Sequence, residues 1–302
     1  MRRLVTVLAV TSAFVAGCGS GDTGSTQAGG GTSTATSTTK QKIVPLNGDI
    51  AEIVYALGFG DQVVGTDISA TYPADAVKKQ KIGYQRSLSA EGILSLSPTL
   101  AIGTAEAGPP DVIAQLKSAG VKVEIVPSGD GVDAAAAKIR AVAKALGVEA
   151  DGEKLATTVT AEIAAARTRA ATAASKPRVA FLYLRGPQTL MIGGRGSRAD
   201  AMITAAGGID TGTEAGINGY APLTAEALAR AKPDVILVLS AGLSSVGGVD
   251  GLLKLPGVAQ TPAGQAKKVL DYDDLYLLGI GPRTGKALQE LITGLHPDLP
   301  AS

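Results

Sequence analysis

Between Gly152 and Lys176-Pro177 the chain runs through residue 174 without another glycine or a proline, and alanine, glutamate and arginine are frequent in the stretch. These residues favour helix and nothing interrupts them, so the composition predicts one helix over 151–174. About 24 residues at 1.5 Å per residue reach roughly 36 Å. The segments on either side carry a different rhythm. Before it, short apolar runs predict strands at Ile43-Val44-Pro45-Leu46, Val63-Val64-Gly65, Leu100-Ala101-Ile102-Gly103 and Val121 to Val126. Amphipathic stretches alternate with them: Ile50 to Leu57 stopped by Gly58, Asp111 to Ala119 closed by Gly120, and Val132 to Leu146 closed by Gly147. After it, a second series begins at Val179 and continues through Val235 to Leu239 and Val269-Leu270. The reading is α/β: two lobes with mostly parallel sheets joined by one long backbone helix. The expected boundaries are 42–150 for the N-terminal lobe, 151–175 for the connecting helix and 176–302 for the C-terminal lobe. One continuous α/β domain with an ordinary helix in its middle also accommodates this pattern.

An internal echo favours two lobes. Leu88-Ser89-Ala90-Glu91-Gly92-Ile93-Leu94, followed by Pro98 and a strand, matches Leu223-Thr224-Ala225-Glu226-Ala227-Leu228, followed by Pro233 and a strand. In each copy a hydroxyl residue stands at the helix N-cap, two positions before a glutamate in the positively polarised first turn. Capping alone accounts for either glutamate. It does not account for two copies so alike in residues and spacing, one in each half.

The amino terminus reads as a leader. Arg2 and Arg3 precede a mostly apolar run from Leu4 to Ala16, too short to span a bilayer, which ends in Val15-Ala16-Gly17-Cys18. This resembles a bacterial lipobox, which implies cleavage after residue 17, lipid on the Cys18 sulfur, and residence on the extracytoplasmic face of the cell membrane. An ordinary secretory leader with an incidental cysteine is the alternative. Residues 18–41 are almost entirely Gly, Ser, Thr, Ala and Asp up to Thr39, with nothing to build a core, and read as a flexible tether. About twenty such residues reach roughly 25 Å.

Function classes are narrowed by what is scarce. A formal charge of +1 over 302 residues provides no basic field for nucleic acid. The single Cys and single His leave no Cys/His or Ser/His/Asp arrangement and no zinc-ligand spacing, so an enzyme is not expected. His296 sits at the end of the last helix, where a structural role is expected. Aromatic residues are only 3% of the chain, so each of its seven tyrosines merits tracing.

Over residues 42–298 the chain resembles the substrate-binding proteins that serve vitamin B12, siderophore and haem ABC importers. The opening Leu46-Asn47-Gly48-Asp49-Ile50-Ala51-Glu52-Ile53-Val54-Tyr55-Ala56-Leu57-Gly58 carries the general likeness. Ile82-Gly83-Tyr84-Gln85-Arg86-Ser87-Leu88, Gly194-Arg195-Gly196-Ser197-Arg198-Ala199-Asp200, Leu278-Gly279-Ile280-Gly281-Pro282-Arg283 and Leu295-His296-Pro297 resemble the haem-binding branch. The resemblance implies a ligand cleft between the lobes and delivery of haem (haem b, as Fe3+) to an ABC permease dimer with its ATPase. It implies that Glu91 and Glu226 meet arginines of that permease, one from each lobe. It also implies that Tyr84 occupies a haem-contacting position, and that Tyr183-Leu184-Arg185 forms the opposite wall. Relatives often use one His and one Tyr; no His lies near either motif here, so one or two tyrosines would hold the iron. A ferric siderophore or a corrinoid is the alternative cargo.

The residues are compatible with that chemistry. Ferric iron binds phenolate, but a free phenol titrates near pH 10, so ligation at neutral pH needs help from the metal or a cation. Residues 183 and 185 of a strand share a face, which sets Arg185 within reach of the Tyr183 oxygen. A half-buried strand tyrosine with a satisfied hydroxyl is the plainer reading of Tyr183, and a loop tyrosine that of Tyr84. Arg86, Arg195 and Arg198 are candidates for haem propionates. Gly193-Gly194-Arg195-Gly196-Ser197 lacks the Lys-Ser/Thr of a phosphate loop and reads as a cleft-lining turn.

Overall fold

The computed structural model describes residues 41–300. The leader, Cys18 and the tether up to residue 40 lie outside the described residues. Strands are β1 (Ile43–Pro45), β2 (Gly83–Tyr84), β3 (Ser87–Leu88), β4 (Leu100–Thr104), β5 (Lys122–Val126), β6 (Arg178–Arg185), β7 (Thr189–Gly193), β8 (Ile209–Asp210), β9 (Tyr220–Pro222), β10 (Val235–Leu239) and β11 (Val269–Tyr272). The N-terminal lobe is built on a parallel sheet in the order β1-β4-β5, with β2 and β3 forming a separate hairpin. The C-terminal sheet runs β11-β10-β6-β7-β9, with β8 also on β6. Its β11, β10, β6 and β8 pair in parallel, and β7 and β9 are antiparallel.

Alternation along β6 explains why both of its faces are dry. Val179 and Phe181 point into one apolar cluster, while Ala180, Leu182 and Leu184 point into another. The first cluster also takes Ile43, Leu100 and Ile102 from the N-terminal sheet, so one core runs through both lobes. A parallel strand buried on both faces reads as a continuous apolar run, which is why β6 and β10 are so conspicuous in the sequence.

The long helix spans Glu149–Ala171. Its buried residues are Gly152, Ala156, Val159, Ile163, Ala166 and Ala170, spaced alternately four and three apart, which is a coiled-coil seam. Mostly small side chains on that seam let neighbours approach closely: a Cβ on Gly152 would lie 2.1 Å from the Ala143 Cβ. The helix packs against Ala134–Leu146 on the N-terminal side and Thr284–Leu295 on the C-terminal side. Burying Val159 and Ile163 there contributes about 1.5–3 kcal/mol each.

The helix Gly48–Ala56 ties the N-terminal lobe to the segment Gly279–Arg283 of the C-terminal lobe. Asp49 pairs with Lys138, a lysine with no exposed surface, whose Nζ also donates to the Gly279 carbonyl at 3.0 Å. One turn on, Glu52 accepts two bonds from Arg283, at 2.9 and 2.8 Å. Two motifs more than two hundred residues apart in sequence thus meet through the Glu52–Arg283 ion pair and through Lys138, which bridges Asp49 to the Gly279 carbonyl.

One expected strand is absent. Of Val63-Val64-Gly65, only Val63 forms an isolated bridge, with Ile43, after which the chain leaves the sheet edge and bridges Thr66 to Lys81. Gly65 sits where a Cβ would lie 2.5 Å from Leu96 Cδ1, so the segment serves a close approach rather than extending the ladder.

Candidate functional site

The carboxyl ends of parallel strands, where open α/β sheets generally bind ligands, carry most of the unusual side chains. In the N-terminal lobe, Asn47 follows β1 and its Oδ1 accepts from the Thr104 amide at the end of β4 (2.8 Å). The Asn47 Nδ2 donates to Gln85 Oε1 (2.5 Å), and the Gln85 carbonyl accepts from the Gly108 amide (2.8 Å). These bonds tie the tip of the β2–β3 hairpin to the sheet. Gly83, at φ +102°, supplies a backbone conformation that a side chain disfavours. Tyr84 follows it and is 40% exposed, a large apolar ring offered to solvent.

Behind the hairpin lies Asp67, fully buried, with Oδ2 accepting from the Ser69 amide (3.0 Å) and Oδ1 unpartnered among the described residues. Burial pushes its carboxyl from an ordinary 3.8 up to about 6, against the pull of the Ser69 hydrogen bonds. The next residue, Ile68, donates its amide to the Gly83 carbonyl (2.9 Å), linking this acid to the tyrosine hairpin.

In the C-terminal lobe, Tyr183 extends the Val179–Phe181 row of β6 and is half-buried against the shared core. Arg185 is on the same face, as strand periodicity requires. Its guanidinium lies 4.5 Å from the centre of the Tyr183 ring, covering the face rather than reaching the phenol oxygen. Two contacts hold it there: a bond to the Leu184 carbonyl (2.8 Å) and an ion pair with Asp274. Burial raises the Asp274 carboxyl above its ordinary value, with Arg185 pulling the other way.

Tyr220, on β9, had no signal beyond being one of few tyrosines, because Asn218-Gly219 before it and Pro222 after it read as a loop. Its ring is 5.4 Å from that of Tyr183 at 60° and 6.4 Å from that of Phe181, the tilted arrangement aromatic pairs prefer. It is 39% exposed, and its phenol is pushed up to about 12, first by burial and then by Tyr183; Arg198 and Arg86 oppose this. Those arginines meet over one acid. Glu106, in the turn after β4, receives Arg198 Nη2 on Oε1 (2.9 Å) and Arg86 Nη2 on Oε2 (3.5 Å). Arg195 is exposed and makes no ion pair among the described residues.

Glu91 and Glu226 are both exposed in the first turns of short helices, Ala90–Leu94 and Ala225–Ala231. The Ser89 and Thr224 side chains accept from the Gly92 and Ala227 amides, so the capping read from the repeat is present in both copies. The likeness extends to the backbone, where Ser97 and Lys232, immediately before Pro98 and Pro233, both have positive φ. Glu226 additionally pairs with Arg230 (2.6 Å). His296 is buried with Nε2 2.9 Å from the Ala206 carbonyl, a structural role at the helix end. Two hollows of about 570 and 490 Å³ are lined by none of these tyrosines except, in the second, Tyr55, which is not part of the aromatic group.

Comparison with known proteins follows the same lines. The chain is 53% identical to the periplasmic heme-binding protein RhuT from Roseiflexus sp. RS-1, with a TM-score of 0.84 over 86% of this chain and 100% of that one. It is 41% identical to the periplasmic heme-binding protein BhuT in complex with two hemes, with a TM-score of 0.81 over 86% of this chain and 99% of that one. The uncharacterized ABC transporter substrate-binding lipoprotein YvrC of Bacillus subtilis is 26% identical over 261 residues, which are 85% of this chain and 81% of that protein. Residues 43–276 match the model of one family, and with it the two-lobed fold and the long helix have their place: the chain belongs to the periplasmic binding protein family.

Proposed function

We propose that this protein captures haem outside the cytoplasmic membrane and hands it to an ABC importer. The observation that carries the reading is the aromatic and cationic wall of the C-terminal lobe, Tyr183 beside Tyr220 with Arg185 laid over the Tyr183 face. Such a wall suits a flat, anionic, iron-bearing ligand: rings for the macrocycle, a phenol for ferric iron, and guanidinium groups for carboxylates. The heme-binding proteins similar over most of this chain support the same cargo. In this reading Tyr183 and Tyr84 donate phenol oxygen to ferric haem b from the two lobes. Arg185 stands over the Tyr183 ring and steadies it, and Arg86 meets a propionate.

Delivery needs a docking surface and an anchor. The exposed, capped glutamates Glu91 and Glu226, one per lobe, are the proposed contacts for arginines of a permease dimer driven by its ATPase. Lipid on Cys18 would hold the protein at the extracytoplasmic face of the membrane; Cys18→Ala should then release it, and a variant that stays with the membrane fraction would remove the anchor. The cargo itself is tested by titrating haemin into the body from residue 40 onward and recording absorption. A saturable shift of the Soret band supports the proposal. An unchanged haemin spectrum, with binding of a ferric siderophore or a corrinoid instead, overturns it.

A further inference from the structure

We propose that Glu106 is an internal stand-in for the carboxylates of the cargo: it holds Arg86 and Arg198 in the ligand-free protein and yields them when the cleft fills. This rests on the haem reading. Glu106 belongs to the turn immediately after β4, and its two oxygens divide between two arginines of different origin. Arg86 comes from the hairpin that carries Tyr84. Arg198 comes from the C-terminal lobe, where it precedes the helix Ala199–Ala205 and has a positive φ of 62°. One carboxylate therefore answers two guanidinium groups, each able to grip a carboxylate of its own.

The two contacts are unequal. Arg198 is only 15% exposed and is also held by the Ser128 hydroxyl (2.9 Å), the Leu278 carbonyl (3.3 Å) and Asp130 (3.7 Å). It stays in place without Glu106. Arg86 is 60% exposed and among the described residues has one ion-pair contact, at 3.5 Å, which a better partner can replace. Glu106 itself is anchored at its backbone, whose amide donates to the Thr104 hydroxyl (3.3 Å), while its side chain retains 29% exposure and a route to solvent. The Tyr220 hydroxyl donates to the carbonyl of Ser197, the neighbour of Arg198 (3.4 Å), which places this cluster at the edge of the tyrosine wall. A ligand lying on Tyr183 and Tyr220 with two carboxylates at its rim meets two arginines that share Glu106. Exchange of Glu106 for two ligand carboxylates satisfies both forks and returns Glu106 to water.

A contact made only in the free state lowers the affinity for whatever displaces it. Haemin and its dimethyl ester are titrated into wild type, Glu106→Gln, and the same pair in an Arg86→Gln plus Arg198→Gln background. Glu106→Gln should bind haemin about two- to fivefold more tightly, the range set by a partly exposed ion pair, with no gain for the diester. The gain should vanish in the background lacking both arginines, because nothing remains to be released. Equal or weaker haemin binding by Glu106→Gln overturns the proposal, as does an equal gain for the diester. A gain that persists without the arginines overturns it in favour of plain repulsion between Glu106 and the ligand. If wild type binds no haemin at all, the haem reading itself falls and takes this inference with it.

Discussion

Arg283 grips both oxygens of Glu52, at 2.9 and 2.8 Å, while its guanidinium carbon lies 3.8 Å from the centre of the Tyr72 ring and 4.9 Å from that of Tyr276. Glu52 is nearly fully buried, so the pair is sustained by geometry rather than by solvent. It joins the first helix of the N-terminal lobe to a motif near the end of the chain.

Removing one partner of such a pair costs more than the pair contributes, because the survivor is left buried and unpaired. Glu52→Gln should lower unfolding free energy by about 3 kcal/mol in urea titrations. Replacing both residues, Glu52→Leu with Arg283→Met, should recover a substantial part of that loss. A single variant as stable as wild type would show that the clasp is incidental.

Asp67 makes stability depend on pH. Its folded value of about 6 lies above the ordinary 3.8, so the folded protein binds the proton more tightly than the unfolded chain does. The sign follows: stability is greatest below about pH 4 with respect to this group, and falls as pH rises toward 6. Above that window the cost is about 3 kcal/mol. Asp67→Asn should therefore be more stable than wild type at pH 7, with the difference closing at pH 4. Parallel melting curves for the two proteins across this range would contradict the assignment.

The arrangement of Arg185 sets a graded expectation for haem binding. Tyr183→Phe removes one of the two proposed oxygen donors and should alter the phenolate charge-transfer band and weaken binding. Arg185→Ala leaves the donor and removes the cation over its ring, so affinity should fall by about tenfold with the band retained but shifted. Arg185→Lys should not restore wild-type behaviour, because an ammonium cannot cover the ring while also bonding the Leu184 carbonyl and Asp274. Absorption titrations separate these outcomes, and an unaltered band in Tyr183→Phe would exclude Tyr183 as a ligand.

Glu91 and Glu226 are exposed, so Ala at both should leave the melting temperature and haemin affinity nearly unchanged. Transport into vesicles bearing the cognate permease should weaken, and Lys at both should be worse, since like charges would then face each other. The Glu226–Arg230 pair must open for docking in this scheme, so Arg230→Ala should not impair uptake. Normal transport by the double Lys variant would return both glutamates to helix capping.

Local chemistry made a good part of this protein readable. The long helix announced itself by lacking Gly and Pro, and its observed span, Glu149–Ala171, begins and ends within a few residues of the expected one. Ser89 and Thr224 cap because a hydroxyl before a helix start finds an amide within four residues. Tyr183 and Arg185 share a face because strands alternate. Each of these depends on neighbours in the chain. Tertiary structure decided everything that depends on distant ones. Nothing near Lys138 in sequence says that it is buried against Asp49, nor does anything near Glu106 say that two arginines converge on it. Arg185 covers the Tyr183 ring instead of reaching its oxygen because Asp274, 89 positions away, draws the guanidinium to itself. Tyr220 joins the aromatic wall only because β9 pairs with β7, and β7 with β6. Periodicity and capping are short-range and survive in a one-dimensional reading, whereas ion pairing and ring packing select partners by distance in space, which only the folded chain defines.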